Sequence, residues 1–253
     1  MQTFIKQHLF NLDFVADDNF DAIIQSIIEQ PFDENSFPVV ITPNVDLTVH
    51  LNKNLQILNR FQRARFILPD GAPIIWFSKL LKRPLKKRLA GSDLFPLVWK
   101  AIIANHKSVF LIIPNEAVKS ALAQEYSPAQ FYIPPFFDAI EKDVETEAKK
   151  ILPLLLLHQP DYVFLGLRYP KQEMLIINLH DKLKIENARL EKLVAEKDEL
   201  IKNQKMQQQS QAQVLHEAKK EATRAQVKLH RLATKPSTAS RPSMMRWSYD
   251  MAR

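Results

Sequence analysis

Short β-rich apolar runs alternate along the first two thirds of the chain with longer stretches in which apolar residues recur every three or four positions. That alternation predicts an α/β fold with a largely parallel sheet, because a parallel strand needs a crossover helix to return the chain. The clearest strands are residues 38–42, 65–68, 108–113 and 162–165, each closing on a turn-forming or polar residue. Helices are predicted over 45–58, 73–81, 92–105 and 140–158, the third opened by Ser92-Asp93. Glu141, Asp143, Glu145 and Glu147 read as a solvated helix N-terminus, where carboxylates suit the dipole, rather than as metal ligands.

From about Met174 the period becomes that of a heptad. With a positions at Asn187, Val194, Ile201, Gln208, Leu215, Ala222 and Leu229, the d positions hold Leu183, Leu190, Lys197, Gln204, Gln211, Ala218, Ala225 and Leu232. The seam is apolar at its ends and polar in its middle. Neither Gly nor Pro interrupts the chain between Lys171 and Lys235, so a long helix is expected there. After Pro236 the Ser-, Pro- and Arg-rich end reads as disordered. The expected boundaries are 1–173 for a catalytic domain, 174–235 for a long helix or coiled coil, and 236–253 for a basic tail.

Charge sharpens this division. Residues 1–173 hold 19 Lys+Arg against 19 Asp+Glu, and residues 174–253 hold 16 against 9, so the whole formal excess of +7 lies in the last third. Such a tail suits phosphate-rich partners, among them nucleic acid, anionic lipid and a lipid diphosphate. Trp247 and Tyr249 form no base-stacking platform, so nucleic acid is the weakest of these readings. Zero cysteines exclude a disulfide framework and any Cys-based metal or nucleophile site. The N-terminus carries one Lys and no long apolar block, unlike a signal peptide, and no apolar run approaches the ~18–20 residues of a membrane span.

The candidate chemistry gathers where strands end. The three glycines, Gly71, Gly91 and Gly166, all close or follow apolar runs, where backbone turns sharply or approaches a ligand, although three ordinary turns would look the same. Ligands of open α/β sheets bind beyond the carboxyl ends of the strands, which is where Thr42, Asn44, Asp70 and Gly166 fall. Asp70 follows the apolar run Phe66-Ile67-Leu68 and Pro69, and a carboxylate fixed there is able to accept a proton from an attacking hydroxyl. His50, His106 and His158, the alternative bases, fall within or at the ends of predicted helices. Thr42 and Asn44 are able to bind sugar or phosphate and are equally natural as strand end and helix cap. Lys82, Arg83, Lys86, Lys87 and Arg88 lead into the Gly91-Ser92-Asp93 helix start, an arrangement that favours an anion such as a diphosphate. No Asp-x-Asp motif is present, so no divalent metal clamp is expected and Arg or Lys would offset leaving-group charge.

Five blocks, in this order, carry a resemblance: Ile41-Thr42-Pro43-Asn44, Leu68-Pro69-Asp70-Gly71, Arg83-Pro84-Leu85, Arg88-Leu89-Ala90-Gly91-Ser92-Asp93-Leu94, and Gly166-Leu167-Arg168-Tyr169-Pro170-Lys171-Gln172-Glu173. Over roughly residues 10–180 they resemble the signature blocks of the WecG/TagA/CpsF glycosyltransferases, glycosyltransferase family 26. The resemblance implies a Rossmann-like domain that performs an inverting, metal-independent transfer of an N-acetylhexosamine. The typical donor is UDP-N-acetylmannosamine and the acceptor a polyprenyl-diphosphate-linked N-acetylglucosamine. Carried over by motif, Asp70 is the catalytic base, Thr42 and Asn44 line the reaction site, and Arg88 and Gln172 contact substrate. The chain departs from the pattern at Pro114-Asn115-Glu116, which replaces a Gly-rich turn, and at Ile133-Pro134-Pro135-Phe136-Phe137. Beyond the last block, the heptad helix stands where family members carry an arginine-bearing, membrane-contacting appendage.

The reading is therefore a glycosyltransferase of cell-surface polysaccharide synthesis, cytoplasmic and peripheral to the inner face of the plasma membrane. Its expected partners are a UDP-sugar, a polyprenyl-diphosphate-linked acceptor, an anionic membrane surface and at most a weak homo-oligomer, with no cofactor, metal or nucleic acid. The alternative is a catalytically weakened relative that serves as a coiled-coil scaffold in polysaccharide assembly.

Overall fold

The computed structural model describes residues 4–29 and 37–233. A β-hairpin comes first, β1 (Lys6–Leu9) antiparallel to β2 (Leu12–Val15), followed by α1 (Phe20–Glu29). β3 (Phe37–Ile41) then pairs in parallel with β4 (Ala64–Ile67) across α2 (Val45–Lys53) and α3 (Leu55–Phe61). α4 (Ala72–Leu80) and α5 (Gly91–Ala104) lead to β5 (Val109–Ile112). After α6 (Glu116–Glu125), β6 (Gln130–Tyr132) and β7 (Tyr162–Leu165) flank β5 in a second parallel sheet of order β6-β5-β7, with α7 (Glu141–His158) as the crossover. α8 (Lys171–Ala233) follows. The architecture is α/β with parallel sheets flanked by helices and a long C-terminal helix, as the alternation of apolar runs predicts.

Two differences have physical causes. The helix predicted over 45–58 is two helices, because Asn54 adopts an extended backbone (φ −122°, ψ 91°) and its side chain accepts from Ile57 N at 3.2 Å. An Asn that caps competes with an Asn that continues the helix. The acidic run at the start of α7 is not uniformly solvated. Glu147 is buried, accepting from Tyr132 Oη and pairing with Lys150 Nζ at 2.8 Å, while Glu145 pairs with Lys149 at 2.9 Å and Lys182 at 3.5 Å. The hairpin, α1, α6 and β6 are elements that the sequence reading leaves out, although α1 buries Ala22, Ile23, Ser26 and Ile27 at helical spacing.

Residues 1–187 form one compact unit and residues 188–253 a second. The first turns of α8 belong to the first unit, where Leu175 and Leu179 join Phe110, Ile112, Val144 and Ile151 in a buried cluster. Two further clusters complete the core, one joining α5 to β4 and β5, the other joining the hairpin to α3 and β3. In the second unit every described side chain is exposed. The terminal segment read as disordered lies outside the described residues.

Candidate active site at the strand ends

β3 and β4 run in parallel, so their carboxyl ends open on the same side. The ladder continues past both strands, with Leu68 N donating to Ile41 O at 2.8 Å and Asp70 N to Pro43 O at 3.1 Å. Buried Pro43 and Pro69 thus hold Thr42 and Asp70 next to each other at the mouth of the sheet. Gly71 follows at φ 99°, a backbone that glycine adopts without steric cost, and turns the chain straight into α4.

The segment before α5 is tied to the same place. Leu89 N donates to Pro69 O at 2.8 Å, Leu89 and Ala90 are fully buried, and Arg88 is left facing the carboxylates. Its Nε lies 3.6 Å from Asp70 Oδ1 and its terminal nitrogen 3.4 Å from Asp93 Oδ2. The start of α5 packs directly on Thr42, since a Cβ added to Gly91 would stand 2.7 Å from Thr42 Oγ1. Thr42, Asp70, Arg88 and Gly91 therefore converge, and the Asp70 carboxylate remains partly open to solvent with 29% of its side chain exposed.

Three other members of the basic run are engaged elsewhere. Arg83 donates to His8 O at 2.7 Å, Lys86 lies 3.6 Å from Asp18, and Lys87 sits over the Phe20 ring at 5.7 Å. Arg88 is the member of the run that reaches the site residues.

Asn44 adjoins Pro43, but its Oδ1 accepts from Leu47 N at 2.8 Å and caps α2, leaving its amide nitrogen for a ligand. Gly166 stands at the carboxyl end of the second sheet, its N donating to Ile112 O at 2.8 Å. Four residues on, the cis Tyr169-Pro170 bond leads into α8, where Gln172 Nε2 donates to Glu173 Oε1 at 2.8 Å. Tyr169 links this corner to α2 by stacking on His50, with centroids 4.7 Å apart. The side-chain hydrogen bond of Gln172 goes to Glu173, and the ion pair of Asp70 to Arg88.

Two residues here escape the sequence reading. Glu173 is buried, with one oxygen on Gln172 and the other unpaired, and burial pushes its carboxyl above the usual carboxylate range. His50, set aside as a helix residue, packs at the corner of the site and pairs with Asp46 at 3.4 Å. Burial, with the nearby Glu173 and Asp46 charges, also raises the Tyr169 hydroxyl. The i, i+4 spacing of Asp46 and His50 is visible in the sequence, whereas their apposition to Tyr169 is long-range and is not.

A carboxylate beyond the end of β4 and a guanidinium from the segment before α5 thus meet at the carboxyl ends of two parallel strands. The family model described as Glycosyl transferase WecG/TagA/CpsF family matches residues 8–189, and the chain belongs to that family. It is 30% identical over 135 residues to the N-acetylglucosaminyldiphosphoundecaprenol N-acetyl-beta-D-mannosaminyltransferases of Staphylococcus aureus strains NCTC 8325 / PS 47 and COL. Those matches cover 53% of this chain and 52% of each relative. A like-named relative from strain MRSA252 is 31% identical over 138 residues, with the same shares covered. The chain spans about half the length of the curated relatives it matches.

Proposed function

We propose that the chain transfers an N-acetylhexosamine of the N-acetylmannosamine type from a UDP-sugar to a polyprenyl-diphosphate-linked N-acetylglucosamine, with inversion. Asp70 takes the proton of the acceptor hydroxyl as that oxygen bonds to the anomeric carbon. The bond from that carbon to the UDP oxygen breaks in the same displacement, and Arg88 offsets the charge on the departing diphosphate. Thr42, Asn44 and Gln172 hydrogen-bond sugar or phosphate. A basic residue replaces a metal clamp in this scheme, in keeping with the lack of an Asp-x-Asp motif.

The observation that carries the reading is the convergence of Thr42, Asp70 and Arg88, with Arg88 Nε 3.6 Å from Asp70, at the ends of two parallel strands. Family membership and the names of the Staphylococcus aureus relatives supply the substrate classes. The described residues contain no helix long and apolar enough to cross a membrane, so a lipid-linked acceptor would be met at a membrane surface. The basic C-terminal third is proposed to dock on anionic lipid, where each Lys or Arg near the surface contributes about 1 kcal/mol. Its polar seam residues Lys197, Gln204, Gln208 and Gln211 would keep self-association weak.

Asp70→Asn tests the mechanism. It keeps the side-chain size and should lower transfer at least ~100-fold, the scale of a positioned general base, with the fold intact by circular dichroism. Transfer from UDP-sugar to a lipid-linked acceptor should also persist in EDTA. Unchanged turnover in the Asn variant removes Asp70 from the mechanism, and EDTA inhibition reversed by Mg²⁺ removes the metal-free scheme.

A further inference from the structure

α4, the helix launched directly from Asp70-Gly71, is apolar on both sides. Ile74 and Ser78 are buried and Ile75 packs against the core, yet Trp76, Phe77, Leu80 and Leu81 are 67%, 48%, 75% and 51% exposed. At 100° per residue, Trp76 and Leu80 point away from Ile74 and Ser78, while Phe77 lies on the flank between, its ring edge-on to Phe10. A helix apolar all round is ordinarily buried, and a contiguous exposed apolar patch marks an interaction surface.

Charge identifies what that surface meets. Between Asp70 and Asp93 the chain contains six cations, Lys79, Lys82, Arg83, Lys86, Lys87 and Arg88, and no acidic residue. Lys79 lies within α4 and Lys82 just beyond it, and no acidic side chain among the described residues pairs with either. Trp, Phe and Leu beside unpaired lysines are the composition of a helix lying in a lipid interface, its rings at headgroup depth and its ammonium groups on anionic headgroups. A second copy of the same face would set lysines against lysines across a two-fold axis, which disfavours self-pairing.

We propose that the outer face of α4 is a docking surface for a bilayer with anionic headgroups. The docking stands on the exposed face and its charges alone. That it brings the Asp70 crevice to a lipid-linked acceptor rests on the transferase reading above.

The test uses the full chain carrying Trp247→Phe, so that Trp76 and the buried Trp99 are the emitters. Vesicles of phosphatidylcholine with phosphatidylglycerol, brominated in the acyl chains, should quench and blue-shift the emission. Adding Trp76→Phe should abolish that response while preserving vesicle binding. In the otherwise native chain, Trp76→Glu with Leu80→Glu should lower partitioning at least about tenfold with an unchanged circular dichroism spectrum, and Lys79→Glu with Lys82→Glu should lower it on anionic but not on neutral vesicles. Absence of Trp76 quenching overturns the proposal. So does a dimer in sedimentation equilibrium that the Trp76→Glu, Leu80→Glu pair dissolves while the native chain ignores vesicles. Quenching without any sugar transfer by the native chain sinks the transferase reading and leaves the docking. Transfer to a vesicle-borne acceptor that is indifferent to the Glu pair, with partitioning also unchanged, sinks the docking and leaves the transferase.

Discussion

Between Lys171 and Asn187, α8 is held by its neighbours: Leu175 and Leu179 are buried, Leu183 packs beside them, and Arg60 pairs with Asp181 from another helix. From Ala188 to Arg231 every side chain is exposed, and local pairs such as Lys192 with Glu196 at 3.9 Å are its visible support. One helix thus has two origins. Its first turns form because an apolar face is covered, which is where most helix stability in proteins arises. The later turns form because nothing in the sequence breaks them, and exposed i, i+4 pairs add only ~0.2–0.5 kcal/mol each.

The sharpest way to break this comparison is to cut the same side chain in both stretches. Leu179→Ala should cost about 2–5 kcal/mol of unfolding free energy, the range for a buried leucine, whereas Leu200→Ala should stay within about 0.5 kcal/mol. Urea titration followed by the fluorescence of buried Trp99 reads both, and equal losses would mean that the later turns are covered too.

A smaller effect is expected at Glu173. Its folded carboxyl titrates above its unfolded value, so the native state holds the proton more tightly. Stability should therefore fall as pH rises from the unfolded value, about 4.3, toward the raised folded one, and level off above it. Glu173→Gln removes the buried charge and should stabilise neutral solutions by on the order of 1 kcal/mol while leaving pH 4 nearly unchanged. Urea midpoints across that pH range check the sign. A variant less stable at pH 7 than the native chain would show that the charge is compensated.

The smallest effect should follow from ending the chain after Asn187, where the compact unit closes. The Trp99-reported urea midpoint should not move beyond error. Ending the chain before Leu183 instead would remove part of a buried cluster and should lower it.

Legibility follows the same contrast. β5 was readable because a parallel strand buried on both faces becomes a short unbroken apolar run, Val109-Phe110-Leu111-Ile112, and β3, β4 and β7, only partly buried, still end in apolar runs. The β1–β2 hairpin was not. Its turn puts Phe10 and Asn11 at φ 53° and 61°, and Phe stands where the usual Asn-Gly signal would be. Asp70, Thr42 and Arg88 were legible as motif residues, but their convergence depends on the backbone bonds Asp70 to Pro43 and Leu89 to Pro69, which are long-range. Likewise, five clustered cations announce a basic loop, yet which one turns inward depends on His8, Asp18 and Phe20 taking Arg83, Lys86 and Lys87.

The contact between Gly91 and Thr42 gives the crevice a gauge set by absence. Because a single methyl at position 91 would stand 2.7 Å from Thr42 Oγ1, either the threonine or the start of α5 must retreat when one is added. Gly91→Ala thus separates two things that Thr42→Val confounds: whether the hydroxyl is present, and whether it is where the strand end puts it. Hydrogen in place of a methyl at position 91 is what lets the start of α5 lie this close to Thr42.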